Sequence, residues 1–256
     1  MAEHLSQLNT LIDEADVSRN RDYSDYSFVF FGDSIIGNYA GSLSIPGVVQ
    51  AYTDARVYNC GYGGLSASEK EPGSISFPAL ADAFLTGDYL SIPQDKSAHT
   101  GIMEYGQSEA PDTDKLCFII NFGFNDYFSG SPVENDDLYD KTTYAGALRT
   151  GIRNLQTAYP EAEIILMTPT YTSYFSEGTE PVGDAGGILA DYVAAAVSIA
   201  EEFSIHLKNN YADSGIHAEN HGLYLSDGCH PNEAGRYMLG RQIVELLHQI
   251  YGNSSA

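Results

Sequence analysis

Residues 28–35 read Phe28-Val29-Phe30-Phe31-Gly32-Asp33-Ser34-Ile35. Four consecutive apolar side chains leave no polar face, so the run suits a strand buried on both sides in a parallel sheet. It stops at Gly32, and Asp33-Ser34 have the chemistry of a turn or helix cap. A serine on a sharp turn after a buried strand exposes its hydroxyl at the strand end. The amides that begin the next turn are placed to stabilise negative charge. Gly-Asp-Ser alone is also the wording of an ordinary turn with a helix cap.

Working outward, four more apolar runs read as strands: residues 57–60, 116–122, 163–168 and 205–208. Helical patterns fall between them at about 46–53, 77–85, 144–158 and 187–203. A last one, 232–250, carries Tyr237, Leu239, Ile243, Leu246, Leu247 and Ile250 on its core face. Strands alternating with helices predict an α/β fold, a three-layer α/β/α sandwich around a central, mainly five-stranded parallel sheet. Leu5, Leu8, Leu11, Ile12 and Ala15 recur at helical spacing. They predict an N-terminal helix, followed by a polar connector to residue 27; residues 28–256 are expected to form a single domain. Residues 91–114, 127–143 and 171–187 read as loops. The last two follow strand ends, where open α/β sheets bind ligands.

Composition narrows the function. The 256-residue chain carries 35 acidic and 12 basic residues, a formal charge of −23 spread along its length. Such a chain repels nucleic acid and anionic membranes and favours neutral or cationic ligands. The N-terminal residues have no apolar core of a signal peptide, and no run of about 18 apolar residues occurs. A cytoplasmic protein is expected, although a trimmed secreted form would read the same. Cys60, Cys117 and Cys229 are odd in number and widely spaced, so reduced thiols are expected. His217 and His221 flank Glu219, but Gly215, Asn220 and Gly222 argue for a loop rather than a metal-binding helix. No cofactor and no metal are expected.

Three other segments offer parts of an acyl-transfer site. Asp227-Gly228-Cys229-His230-Pro231 precedes the last helix, and Pro231 suits a first helical turn. A serine nucleophile needs a base, and that base needs an acceptor to fix its tautomer. His230 and Asp227 are three residues apart, so one turn presents both. Gly123-Phe124-Asn125-Asp126 ends the most apolar strand, and the Asn125 amide is a donor for an oxyanion. Asn59-Cys60-Gly61-Tyr62-Gly63-Gly64 ends another, where glycines let a backbone N–H approach a ligand. Each segment alone also reads as a cap, an Asx-turn or a loop.

Taken in order, these four segments resemble the sequence blocks of the SGNH hydrolases, the GDSL-type esterase and lipase superfamily. Gly32-Asp33-Ser34-Ile35 looks like the first block, Asn59 to Gly64 the second, Gly123 to Asp126 the third and Asp227 to Pro231 the fifth. The resemblance spans most of the chain. It implies a flavodoxin-like sheet, Ser34 as nucleophile, His230 as base and Asp227 as its orienting acid. The Ser34 and Gly64 N–H groups and the Asn125 side chain would form the oxyanion hole, with the Gly63-Gly64 doublet leaving a choice of N–H. Asp33, Tyr62, Gly63, Tyr127, Tyr171 and Tyr174 lie in or beside these loops and are candidate substrate contacts. The polar, aromatic loops suit a sugar alcohol, so a carbohydrate O-acetyl esterase is expected. The alternatives are a short-chain lipid or thioester hydrolase and a catalytically silent glycan-binding module. The sequence does not set the oligomeric state.

Overall fold

A computed structural model describes residues 22–93, 97–109 and 112–252, with the side chains of 97–99 left aside. The expected helix at residues 5–15 lies outside the described residues. The elements run β1 (Ser27–Gly32), α1 (Ser34–Gly37), α2 (Ile45–Thr53), β2 (Arg56–Asn59), α3 (Phe77–Thr86), α4 (Ser97–Gln107), β3 (Leu116–Asn121), α5 (Phe124–Phe128), α6 (Tyr144–Ala158), β4 (Glu163–Met167), α7 (Leu189–Glu202), β5 (His206–Lys208), α8 (Asn210–Asp213), α9 (His221–Tyr224) and α10 (Glu233–Gly252). The five strands form one sheet in the order β2-β1-β3-β4-β5, and every neighbouring pair is parallel.

All six residues of β1, and all six of β3, are buried. Side chains alternate between the two faces of a strand. Phe31 points to one face, where its ring lies 5.8 Å from Phe77 and 5.2 Å from Phe84 of α3. Phe28, of opposite parity, meets Tyr23 and Tyr26 at 5.9 and 6.2 Å. Tyr26 in turn lies 4.8 Å from Tyr251 of α10. Helices α3, α6 and α7 pack in series on the first face, and α2 packs on α10 on the second. The sheet is therefore covered on both sides, and burying each such Phe contributes about 1.5–3 kcal/mol.

Two expectations are corrected here. Tyr23 and Tyr26 were assigned to a polar connector, yet they are fully or nearly buried and extend the core beyond residue 28. Residues 91–114 contain α4, where a loop was expected. Its Ile102 and Tyr105 are buried, and Gly101 lets it pass so close to β2 that a Cβ there would lie 2.1 Å from the Asn59 carbonyl oxygen.

The chain turns from β1 outward to β2, then crosses back to β3 on the other side of β1. Direction thus reverses between β1 and β3, and the crevice at their carboxyl ends is where such sheets bind ligands. Ser34 follows β1 and Asn125 follows β3. Among the described residues, no helix is long and apolar enough to cross a membrane.

Candidate active site

Ser34 is the first residue of α1, and Asp33 caps it. The Asp33 carboxylate accepts the Ile35 N–H at 2.9 Å, which fixes the turn that presents the serine. Asp33 is only 1 % exposed. Burial pushes its pKa up to about 7; the Ile35 N–H opposes that rise, and the charge of Asp126 adds to it. Asp33, a candidate substrate contact, is thus a buried cap, closed off from ligands by its own turn.

His230, the candidate base, lies in a tight loop. Leu225 and Pro231 pair antiparallel, the Ser226 N–H donates to the His230 carbonyl at 2.8 Å, and the Asn232 N–H donates to Tyr224 at 2.8 Å. Inside this loop, one oxygen of Asp227 accepts the N–H groups of His230 at 2.8 Å and Cys229 at 3.1 Å. Its other oxygen lies 2.8 Å from His230 Nδ1. Burial works against the Asp227 charge, but the His230 and Cys229 hydrogen bonds outweigh it and hold the pKa below its ordinary value. An ionised carboxylate only accepts, so the Nδ1 proton sits between His230 and Asp227. Nε2 then carries the free lone pair, and it lies 2.9 Å from Ser34 Oγ.

Gly228 is needed in this loop for two reasons. Its φ is +87°, and a Cβ there would come 2.0 Å from Ser173 Oγ. The close approach lets its carbonyl accept the Ser173 N–H at 2.9 Å and the Thr172 hydroxyl at 3.1 Å. The loop after β4 is thereby tied to the loop that carries His230.

The third side of the site joins the loops after β1, β2 and β3. The Tyr62 N–H donates to the Gly32 carbonyl at 2.9 Å. One proton of the Asn125 amide goes to the Leu65 carbonyl at 3.0 Å. That contact sets Asn125 beside Leu65, the residue after Gly64, and leaves its second N–H unused. Gly64 is exposed, has φ +82° and has open space where a Cβ would stand; a Cβ on Gly63 would meet Asn38 Oδ1 at 2.5 Å. Among the described residues, neither the Ser34 N–H nor the Gly64 N–H has a protein acceptor. Three unspent donors therefore belong to loops held together beside Ser34.

The candidate tyrosines separate by position. Tyr174 is 39 % exposed and packs edge-on to Phe128 at 5.6 Å, beside the Asp227 loop; Tyr62 is half-buried. Tyr127 is wholly buried and its hydroxyl donates to the Glu180 carbonyl at 2.9 Å, which removes it from the substrate surface. Tyr171 is 9 % exposed and packs with Ile216 and Leu225 in a small second core, 5.4 Å from the His221 ring. Phe175, not singled out from sequence, is 48 % exposed and adjoins Phe128 at 5.9 Å. Asp126 was also missed: it is fully buried and binds the Gly64 loop through Ala67 and Ser68. Its only sequence signal was its place after Asn125.

His217 pairs with Glu219 at 2.7 Å on the surface, and among the described residues no three metal-ligating side chains converge. The three cysteines are buried and unpaired. Burial pushes the Cys229 thiol up, with the Asp33 and Asp227 charges adding to it, so it is poorly suited to compete as a nucleophile.

Comparison with known proteins bears on the fold and the family. The model of the GDSL-like Lipase/Acylhydrolase family matches residues 30–237. No curated protein matches. A solved structure of a protein from Lactobacillus plantarum is similar over 88 % of this chain and 97 % of its own, at 21 % identity and TM-score 0.66. Est24, a carbohydrate acetylesterase from Sinorhizobium meliloti, is similar over 88 % and 99 %, at 14 % identity and TM-score 0.58. A possible lipase from Chitinophaga pinensis is similar over 88 % and 98 %, at 16 % identity and TM-score 0.58. These likenesses show the fold, and the family match, which spans the blocks around Ser34, Gly64, Asn125 and His230, shows the lineage: the chain belongs to the GDSL-like lipase/acylhydrolase family.

Proposed function

We propose that the protein is a serine esterase that removes small acyl groups, acetyl above all, from hydroxyls of a carbohydrate. The observation that carries the reading is the unbroken line from Asp227 Oδ2 to His230 Nδ1 at 2.8 Å and from His230 Nε2 to Ser34 Oγ at 2.9 Å. Three groups in acid, base and nucleophile order at hydrogen-bond distance are what acyl transfer to serine requires.

In the reaction, Ser34 Oγ attacks the ester carbonyl carbon as its proton passes to His230 Nε2. Asp227 stabilises the imidazolium. The carbonyl oxygen becomes an oxyanion that accepts from the Ser34 and Gly64 N–H groups and the Asn125 amide. The C–O bond to the alcohol breaks, and His230 gives that oxygen its proton. Water, deprotonated by His230, then attacks the acyl-serine and releases the acid and Ser34. Preorganised donors of this kind usually provide the largest single share of such catalysis.

The substrate class rests on the rim. Polar loops and the exposed rings of Tyr174 and Phe175 suit the face of a sugar ring, and the −23 charge disfavours polyanions. Est24 shares the fold and deacetylates carbohydrate by its name. Acetate release from a panel of acetylated glycans, with Ser34→Ala as control, tests both levels. Full turnover by Ser34→Ala would end the nucleophile assignment. A preference for acyl chains of about six carbons or more would replace the acetyl reading with a lipid or thioester hydrolase. Binding of glycans without any acyl release, and without a phosphonate adduct on Ser34, would leave a silent binding module.

A further inference from the structure

Six residues beyond Gly64 and six beyond Asn125, the two donor-bearing loops meet a second time, through Lys70 and Ser131. The Lys70 ammonium donates to the hydroxyls of Ser131 and Ser129. Ser131 Oγ lies 2.9 Å from Ser68 Oγ, and Ser68 Oγ donates to Asp126 Oδ1 at 2.6 Å. Lysine only donates and an ionised carboxylate only accepts, so each hydroxyl between them has its one proton committed. The chain runs in one direction: Lys70 to Ser131 to Ser68 to Asp126.

Asp126 is the end of that chain and the clamp of the two loops. Besides Ser68 Oγ, its oxygens accept the N–H groups of Ala67 and Ser68, both at 2.9 Å. Asp126 is 0 %, Ser68 1 % and Ser131 6 % exposed, so the clamp works out of water. Lys70 also reaches the other side of Asn125: Ser129 Oγ, which accepts from Lys70, donates to the Asn125 carbonyl at 2.5 Å. Desolvation lowers the Lys70 pKa while the charge of Asp126 works to raise it, so the two ends interact electrostatically. A carboxylate buried alone would be costly, and a cation delivered through two polarised hydroxyls offsets that cost.

We propose that Lys70 is a positioning residue for the oxyanion site: by way of Ser131 and Ser68 it keeps the Asp126 clamp closed, and so holds the Gly64 and Asn125 donors in register. This rests on the esterase reading for its effect on rate, and on the hydrogen-bond chain alone for its effect on the loops. Loosely held donors stabilise the transition state less while leaving ground-state binding nearly as it was, so the loss belongs in kcat.

The test uses the full chain with Lys70→Met, Lys70→Arg, Asp126→Asn and the double variant Lys70→Met/Asp126→Asn. With an acetyl aryl ester, Lys70→Met should lower kcat roughly tenfold or more with KM within about twofold, and Lys70→Arg should recover most of the loss. The double variant should be little worse than Asp126→Asn, because both act through one clamp. Wild-type kcat in Lys70→Met, a loss confined to KM, absence of rescue by arginine, or losses that multiply would each overturn the proposal. Amide hydrogen exchange over residues 62–70 and 123–131 reads the clamp without any ester. Both segments should exchange faster together in Lys70→Met, and unchanged exchange in either overturns the proposal. Failure of the esterase reading shows differently, as a wild-type protein that neither hydrolyses esters nor takes a phosphonate on Ser34.

Discussion

Asp33 carries a direct prediction about stability. Its carboxyl is 1 % exposed, and its proton affinity is raised from the ordinary 3.8 to about 7. The unfolded chain ionises near the ordinary value and the folded chain near 7. Between those limits the folded state holds the extra proton, so stability falls as pH rises from about 4 to about 7 and then levels off. Each pH unit of that difference is worth 1.36 kcal/mol, and the interval gives about 4 kcal/mol. Asp33→Asn keeps an oxygen for the Ile35 N–H and never ionises. It should exceed the wild type by about 1 kcal/mol at pH 4.5 and by about 4 kcal/mol at pH 8.5, the latter roughly 10 °C in Tm for a chain of this length. Urea melts of both proteins at pH 4.5, 6, 7 and 8.5 measure the difference. A gap that does not change with pH, or one that narrows as pH rises, would refute the argument that burial dominates this carboxyl.

Other expected outcomes are more local. Asn125→Ala removes one of three donors and should cut kcat on acetyl esters about a hundredfold, about 3 kcal/mol, with residual turnover above Ser34→Ala. Gly228→Ala imposes a side chain at φ +87° and a contact of 2.0 Å with Ser173, so it should cost at least about 1–3 kcal/mol in denaturant melts and lower kcat as the His230 loop shifts. Tyr127→Phe loses one hydrogen bond to the Glu180 carbonyl and should cost about 1 kcal/mol of stability with KM unchanged; a large KM change would return Tyr127 to the substrate surface.

Much of the frame was legible because it follows from apolar patterning. Each of the five apolar runs forms a strand, and the boundaries of α6 at Tyr144 and Ala158 agree with the periodicity. The candidate triad residues were legible because each stands beside a strand end or a helix start with turn chemistry around it. The losses have a common cause. The apolar residues of helix α4 are few and stand among polar residues and two glycines, and its close packing against β2 depends on Gly101, a contact that appears only in three dimensions. Tyr127 and Tyr171 sit at strand ends, but hydroxyl partners and neighbours decide whether a tyrosine faces in or out. The Lys70–Ser131–Ser68–Asp126 chain joins residues some sixty positions apart, and polar side chains that pair across loops leave no periodic trace.

The hydrogen bond between His230 and Ser34 spans 196 positions of sequence. During synthesis Ser34, its Asp33 cap and the Gly64 and Asn125 loops emerge well before His230 does. On the proposed mechanism, Ser34 has no base to take its proton until the His230 loop is in place. The proposed reactivity then arrives only when α10 settles against α2 and brings the Asp227–His230 loop over the strand ends. Onset of ester hydrolysis on refolding would then mark the docking of the last helix, and a chain clipped after β5 would lack both His230 and the buried face of α10.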